Sequence, residues 1–274
     1  MMVSEGENLK YNLPAYAQRL LNQLVSKMTP PVYNDVNIQR LYEVIEDIVK
    51  YNIQGIDRFL RRLLRAVVVK EEWVNIRREG RFAGVLAKNG FSPVYLEISK
   101  NGPDIKAVYK GYTIYFEVTR RRAATDEWKT EQPDALNKIE PDSAENTISR
   151  IFGKVRQLQP DEANIVVLWS DTIGLNHLEM QEAFQYIQQE IENTPDGYRI
   201  LSAVLFTTGG VNTSTLKQFY LYQNVNAAKP LPAAIIQKLE TMTERDLAEL
   251  QKEHDELAKS IWRQIAKSKT SDSI

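Results

Sequence analysis

Apolar positions recur at helical spacing through the first third of the chain. From Pro14 to Met28 the residues Leu20, Leu21, Leu24 and Val25 fall on one helical face, and Pro30-Pro31 stops the pattern. A second helix, capped by Asn34 or Asp35, places Ile38, Leu41, Ile45 and Ile48 on one face. Gly55 separates it from a third, Ile56 to about Val69, which turns Phe59, Leu60, Leu63, Leu64 and Val67 inward. A fourth, Lys70 to Asn89, carries Trp73, Ile76, Phe82, Ala83 and Leu86 at core spacing and ends at Gly90.

The period then changes to two. Val94 to Ser99 reads as a strand, and Asp104 to Lys110 with Tyr112 to Arg120 as a hairpin about Lys110-Gly111. A polar connection with two prolines follows, too long for an ordinary loop. It leads into a helix starting between Ser143 and Thr147, with Ile148, Ile151, Phe152, Val155 and Leu158 on its apolar face, ended by Pro160. Ile165 to Trp169 is a continuous apolar run, as in a strand buried on both faces. Asn176 with Glu179 opens a helix to about Asn193, and Ile200 to Thr207 and Phe219 to Gln223 read as strands that extend the sheet. A short helix runs from Pro232 to Leu239, and a last one opens at Thr243 with Leu247, Leu250, His254, Leu257 and Ile261 in a heptad seam.

These elements divide into an N-terminal helical region (1–69), an α/β core with a mixed sheet (70–225) and a C-terminal helical extension (226–274). The core opens with the order αβββαβ. At 274 residues the chain is long enough for one enlarged domain.

Composition removes several chemistries. There is no cysteine, hence no thiolate catalysis and no Cys-type zinc site, and the two histidines, His177 and His254, form no cluster. Phosphate-loop, dinucleotide and serine-elbow motifs are absent. No window approaches about 18 apolar residues and the N-terminus carries no leader pattern, so the expected location is the cytoplasm, away from membranes.

The net charge of −1 restricts any phosphate contact to local patches. The third helix supplies one, since Arg58, Arg61, Arg62 and Arg65 stack at i, i+3, i+4 and i+7. From Tyr51 to Arg81 there are eight Lys/Arg against four acids. A duplex would find that surface attractive, and a solvated helix face whose arginines pair with acids elsewhere is the competing reading.

What chemistry is left lies in the hairpin. Alternation puts Tyr112, Ile114, Phe116 and Val118 on the core face, and Thr113, Tyr115, Glu117, Thr119 and Arg121 on the other. On the incoming strand Ile105, Ala107 and Tyr109 are the apolar set, so Asp104 approaches Glu117 across the hairpin and two carboxylates converge. Glu117 is flanked by Phe116 and Val118, where an unpaired carboxylate is costly; a bound metal would relieve that cost, as would an ion pair with Lys106 or an arginine.

Pro103, Asp104, Glu117 and Thr119 together resemble the PD-(D/E)XK nuclease superfamily, the restriction-endonuclease-like fold. The resemblance covers roughly residues 70–170. It implies an αβββαβ core and Mg²⁺ (or Mn²⁺) held by Asp104 and Glu117. It also implies a further carboxylate on the preceding helix, where Glu79 stands before Gly90-Phe91, and hydrolysis of DNA phosphodiester bonds in restriction or repair. The family's lysine, two residues after the glutamate, is here Thr119, whose hydroxyl holds a water but carries no charge.

Lys154 on the following helix is the first candidate to stand in for it, ahead of Lys106 and Arg121. Arg121 suits a phosphate clamp better, beside the arginine stripe. The departure at Thr119 keeps a second expectation open, a catalytically inactive relative that binds DNA or a protein partner. Cutting both strands of a duplex would call for a homodimer, with the C-terminal heptad seam as its candidate contact.

Overall fold

The computed structural model describes residues 13–28, 35–96, 102–120, 151–169, 177–207 and 219–243. Helices α1 (Ala15–Lys27), α2 (Asp35–Lys50), α3 (Ile56–Ala66) and α4 (Lys70–Lys88) precede the sheet. Their apolar stripes are the predicted ones: Leu21 and Leu24 on α1, Leu41, Ile45 and Ile48 on α2, Phe59, Leu60 and Leu63 on α3, and Trp73, Ile76, Phe82, Ala83 and Leu86 on α4 are all buried. The third helix ends three residues early. Val67, Val68 and Val69 are β-branched in succession, which disfavours helix, and Val68 and Val69 turn outward to solvent.

The sheet has six strands in sequence order: β1 (Val94–Leu96), β2 (Ile105–Tyr109), β3 (Tyr112–Arg120), β4 (Ala163–Trp169), β5 (Ala203–Thr207) and β6 (Phe219–Gln223). The first three form an antiparallel meander, β4 and β5 run parallel to β3, and β6 returns antiparallel. The fold class is therefore mixed α/β, as expected. Between β2 and β3 the turn is as tight as the sequence implies, with Lys110 at φ 49° and Gly111 at φ 82°. Tyr112 departs from expectation: it is 51% exposed, because it pairs with Tyr109 at the tip of the hairpin, beyond the packed part of the core face.

Alternation along the central strands feeds two apolar clusters. Ile165, Val167 and Trp169 of β4 join Ala203 and Leu205 of β5 in a core shared with α1 to α4 and with α7 (Ala233–Glu240). Val166, Leu168, Val204 and Phe206 point the other way, onto α5 (His177–Asn193), the one-turn helix α6 (Pro195–Tyr198) and the segment 151–158. Burial of β4 on both faces is what its unbroken apolar run anticipates.

The segment before β4 is helical at 151–154 and tightens into a 3₁₀ turn over Val155–Gln157, ahead of the predicted stop at Pro160. Among the described residues no helix is long and apolar enough to cross a membrane. Arg121, the polar connection, the start of the helix before β4 and the heptad seam after Thr243 with its dimer contact lie outside the described residues.

Candidate active site

The register of the hairpin places the two carboxylates. Ile105 pairs with Phe116, so the next pair toward the open end brings Asp104 level with Glu117. Asp104 is tied down by the backbone: the Val118 N–H donates to its Oδ2 at 2.9 Å. Glu117 is buried to 1% exposure, and Lys154 Nζ donates to its Oε1 at 2.6 Å. That lysine comes from the helix packed over β4, and it also donates to Gln157 Oε1 at 3.1 Å. The other oxygen, Glu117 Oε2, is buried and makes no hydrogen bond of good geometry among the described residues, although the Asp104 carboxyl and backbone N–H lie close enough to the Glu117 carboxyl to interact with it.

Helix packing brings in the third predicted carboxylate. Gly80 lets α4 approach α3 and α2 closely, for a Cβ there would lie 2.5 Å from the Phe59 ring and 2.7 Å from Val44. At that separation Arg62 of α3 meets Glu79 of α4 as a two-pronged pair, NH1 to Oε2 at 2.7 Å and NH2 to Oε1 at 3.0 Å. NH1 also stands 3.8 Å from Asp104 Oδ1. Glu79 is buried, and its carboxylate faces the arginine.

These groups line a cleft of about 940 Å³. Arg58, Arg61, Arg62 and Arg65 line one part of it, so the stripe reaches the carboxylates, and Thr119 lines it as well. Glu72, Asn75, Arg156 and Gln157 also line the cleft and were not anticipated as site residues. For Gln157 a signal was present, because it stands at i+3 from Lys154 on a helical segment. Lys106 does not reach the site; its ammonium sits over the rings of Tyr95 and Tyr115.

Charge in this cleft is expensive. Burial raises the Glu117 pKa to about 8, and the neighbouring Asp104 adds to the rise against the opposing pull of Lys154. Asp104 is raised as well, by burial first, with Lys154, the Val118 N–H and Arg62 opposing. For Lys154 burial works against the ammonium, but Glu117, Asp104 and Glu79 outweigh it and the pKa moves up.

Among the described residues no group of three or more His, Cys, Asp or Glu is placed to hold a metal. The pair Asp104 and Glu117 still suits a hard cation such as Mg²⁺, which commonly takes one or two carboxylates and completes its shell with water and substrate phosphate. The buried Oε2 of Glu117, without a hydrogen bond of good geometry, is an oxygen ligand of that kind. No family model, no curated protein and no solved structure matches the chain.

Proposed function

We propose that the protein is a Mg²⁺-dependent endonuclease of the PD-(D/E)XK type, hydrolysing DNA phosphodiester bonds in the cytoplasm. The observation that carries this reading is Glu117: a carboxylate buried inside a strand, one oxygen on Lys154, the other without a hydrogen bond of good geometry, facing an arginine-lined cleft beside Asp104. The element order supports it, since helix α4, the meander β1 to β3, a helical segment and the parallel strand β4 follow one another as in an αβββαβ core.

In this reading Asp104 and Glu117 hold the ion, which when bound neutralises phosphoryl oxygens and lowers the pKa of water. The protein groups divide the other tasks. The arginines of α3 bind phosphates and fix the strand across the cleft mouth. Lys154 holds Glu117 in place through Oε1 and presents a positive charge next to the reacting phosphate, the part expected of a lysine at position 119. Thr119, which also lines the cleft, offers a hydroxyl that orients a water there. Arg62 keeps Glu79 neutralised, which leaves Asp104 and Glu117 as the two ligands.

A second reading, a nuclease-fold protein that binds DNA without cutting it, is favoured by one observation: Lys154 and Arg62 already neutralise Glu117 and Glu79 from within the protein. Supercoiled plasmid incubated with protein and Mg²⁺ separates the two. Cleavage that vanishes in Asp104→Asn and Glu117→Gln supports the endonuclease. Binding without cleavage by the parent supports the second reading, and cleavage at the parental rate by both variants rejects the first.

A further inference from the structure

One row of side chains on the sheet belongs to neither apolar cluster. The pairing register sets Tyr95 of β1 opposite Lys106 of β2, and Lys106 opposite Tyr115 of β3, so the three stand side by side on one face. Lys106 Nζ lies 5.7 Å from the centroid of the Tyr95 ring and 5.8 Å from that of Tyr115, an ammonium held between two aromatic rings. The row is open. Tyr95 is 37% exposed, Lys106 and Tyr115 are half-buried, and among the described residues nothing from β1, β2 or β3 joins the cluster that α5 builds on the sheet.

The position of the row gives it a purpose. Glu117 is two residues beyond Tyr115 on β3, and Asp104 is two residues before Lys106, so the carboxylates lie on the same sheet face one side-chain step away, about 7 Å along the strands. The arginines that bound the cleft suit phosphates and need no rings beside them. Two tyrosines and a lysine suit an unpaired strand. Its bases expose π faces that stack on aromatic rings whatever their sequence, and a cation between the rings attracts the backbone that joins them. Bases inside a duplex are stacked on one another and offer a flat side-chain row nothing to stack on.

We propose that the Tyr95, Lys106 and Tyr115 row is a stacking ledge for the bases of an unpaired nucleic-acid strand, and that the substrate carries a single-stranded segment next to the bond cut. This rests on the nucleic-acid reading of the cleft and adds the substrate class to it.

The test is fluorescence anisotropy in EDTA, where nothing is cleaved, with one labelled oligonucleotide presented as a single strand and as a blunt duplex. The parent binds the single strand more tightly. Tyr95→Leu and Tyr115→Leu each weaken single-strand binding by about 5- to 100-fold and leave duplex binding unchanged, while Tyr95→Phe and Tyr115→Phe keep the parental affinity. Lys106→Gln, which leaves both rings in place and so serves even where a leucine variant folds poorly, lowers the salt slope of single-strand binding by roughly 0.7. Equal losses on both substrates, no loss on either, or losses in the phenylalanine variants as large as in leucine overturn the ledge. A parent that binds the duplex and not the single strand overturns the ledge alone; one that binds neither in EDTA nor with Mg²⁺ removes the nucleic-acid reading with it.

Discussion

Asn164 and Glu117 are both buried polar residues on strands that pair with each other, and they are treated in opposite ways. The Asn164 amide donates to the carbonyls of Gln159, Glu162 and Ile200 at 2.8, 2.8 and 3.1 Å, and its oxygen accepts the Gln159 N–H at 2.9 Å. Beside it Ser202 Oγ accepts the Asn164 N–H and donates to the Lys229 carbonyl, and Asn224 donates to the carbonyls of Tyr198 and Leu201. Every partner is neutral and both oxygens of the pair, Asn164 Oδ1 and Ser202 Oγ, are used.

At Glu117 an ionisable carboxyl is buried with its pKa raised to about 8, one oxygen is left over, and the nearest acid is another carboxylate whose own pKa is raised. Satisfied polar groups of the first kind lock loops to the ends of β4, β5 and β6. An arrangement of the second kind destabilises the isolated protein and makes sense as a place kept for something that binds.

The largest test of this contrast exchanges the two losses. Glu117→Gln and Asp104→Asn should each reduce Mg²⁺-dependent cleavage by up to about a thousandfold, the upper end of what is seen when a group that stabilises transition-state charge is lost, with the fold intact by circular dichroism. Asn164→Ala should do the reverse, costing about 3 kcal/mol in urea unfolding because several backbone groups lose their partner, with residual cleavage proportional to the folded fraction. If the asparagine variant is stable but inactive, the division between the two regions is wrong.

Next in size is Lys154. Lys154→Ala should lower cleavage about a hundredfold and leave DNA binding nearly unchanged, since its ammonium contacts Glu117 and not the arginine stripe. Thr119→Lys, in the cleft lining, should restore part of the lost rate. Cleavage by Lys154→Ala at the parental rate would show that the ion pair only holds Glu117 in place.

How far the sequence reveals this site follows from the range of its signals. The meeting of Asp104 and Glu117 depends on a period of two and a two-residue turn, both local, and the structure places the pair level in the hairpin. Lys154 was nominated from its place on a helix expected to pack over the sheet, although 37 residues separate it from Glu117. The grip of Arg62 on Glu79 was not foreseen, because it depends on how closely α3 and α4 pack, and that separation is set by Gly80 against Phe59 and Val44 on two other helices. Lys106, one of the alternative partners the sequence offers for Glu117, does not reach it. Alternation gives its face correctly, but two flanking tyrosines, one of them on β1, decide where the ammonium rests. The Asn164 network was missed in part for the same reason: Gln159 and Glu162 are neighbours in sequence, but Ile200 and Ser202 are brought to it by the register of β4 and β5.

The pH dependence of stability sharpens the contrast at smaller amplitude. A carboxyl whose pKa rises from 4.5 to about 8 on folding keeps a proton in the native state that the unfolded chain has already released. The native state therefore binds more protons across that window, and stability falls as pH rises from about 5 to 8, levelling off above. Asp104 shifts in the same direction and acts with it. Lys154 does not interfere: its raised pKa stabilises the fold at all lower pH and is lost only above its ordinary 10.5. Melting temperatures in EDTA should thus drop from pH 5 to pH 8 in the parent and much less in Glu117→Gln, whereas the gain on adding Mg²⁺ should grow with pH as the ion displaces that proton. A parent that melts at one temperature throughout would place no proton on the pair.

The smallest expected effect tests the arginine stripe, where the structure separates members that looked alike. Arg62 is engaged with Glu79 and faces Asp104, so its charge is largely spent inside the protein. Arg61 and Arg65 are exposed and line the same cleft, with the Arg65 Nε–H on the Arg61 carbonyl at 3.3 Å, a contact that orients the guanidinium without neutralising it. Each should therefore neutralise about one phosphate of a bound duplex, and replacing both with glutamine should flatten the dependence of log affinity on log salt by roughly 1.8, at about 0.9 per contact. Because among the described residues no carboxylate or backbone ladder depends on either side chain, stability should change by less than about 0.5 kcal/mol. Cleavage at saturating DNA should keep its parental rate. An unchanged slope would return these arginines to an ordinary solvated helix face and leave the carboxylate pair to account for any nucleic-acid affinity through the metal alone.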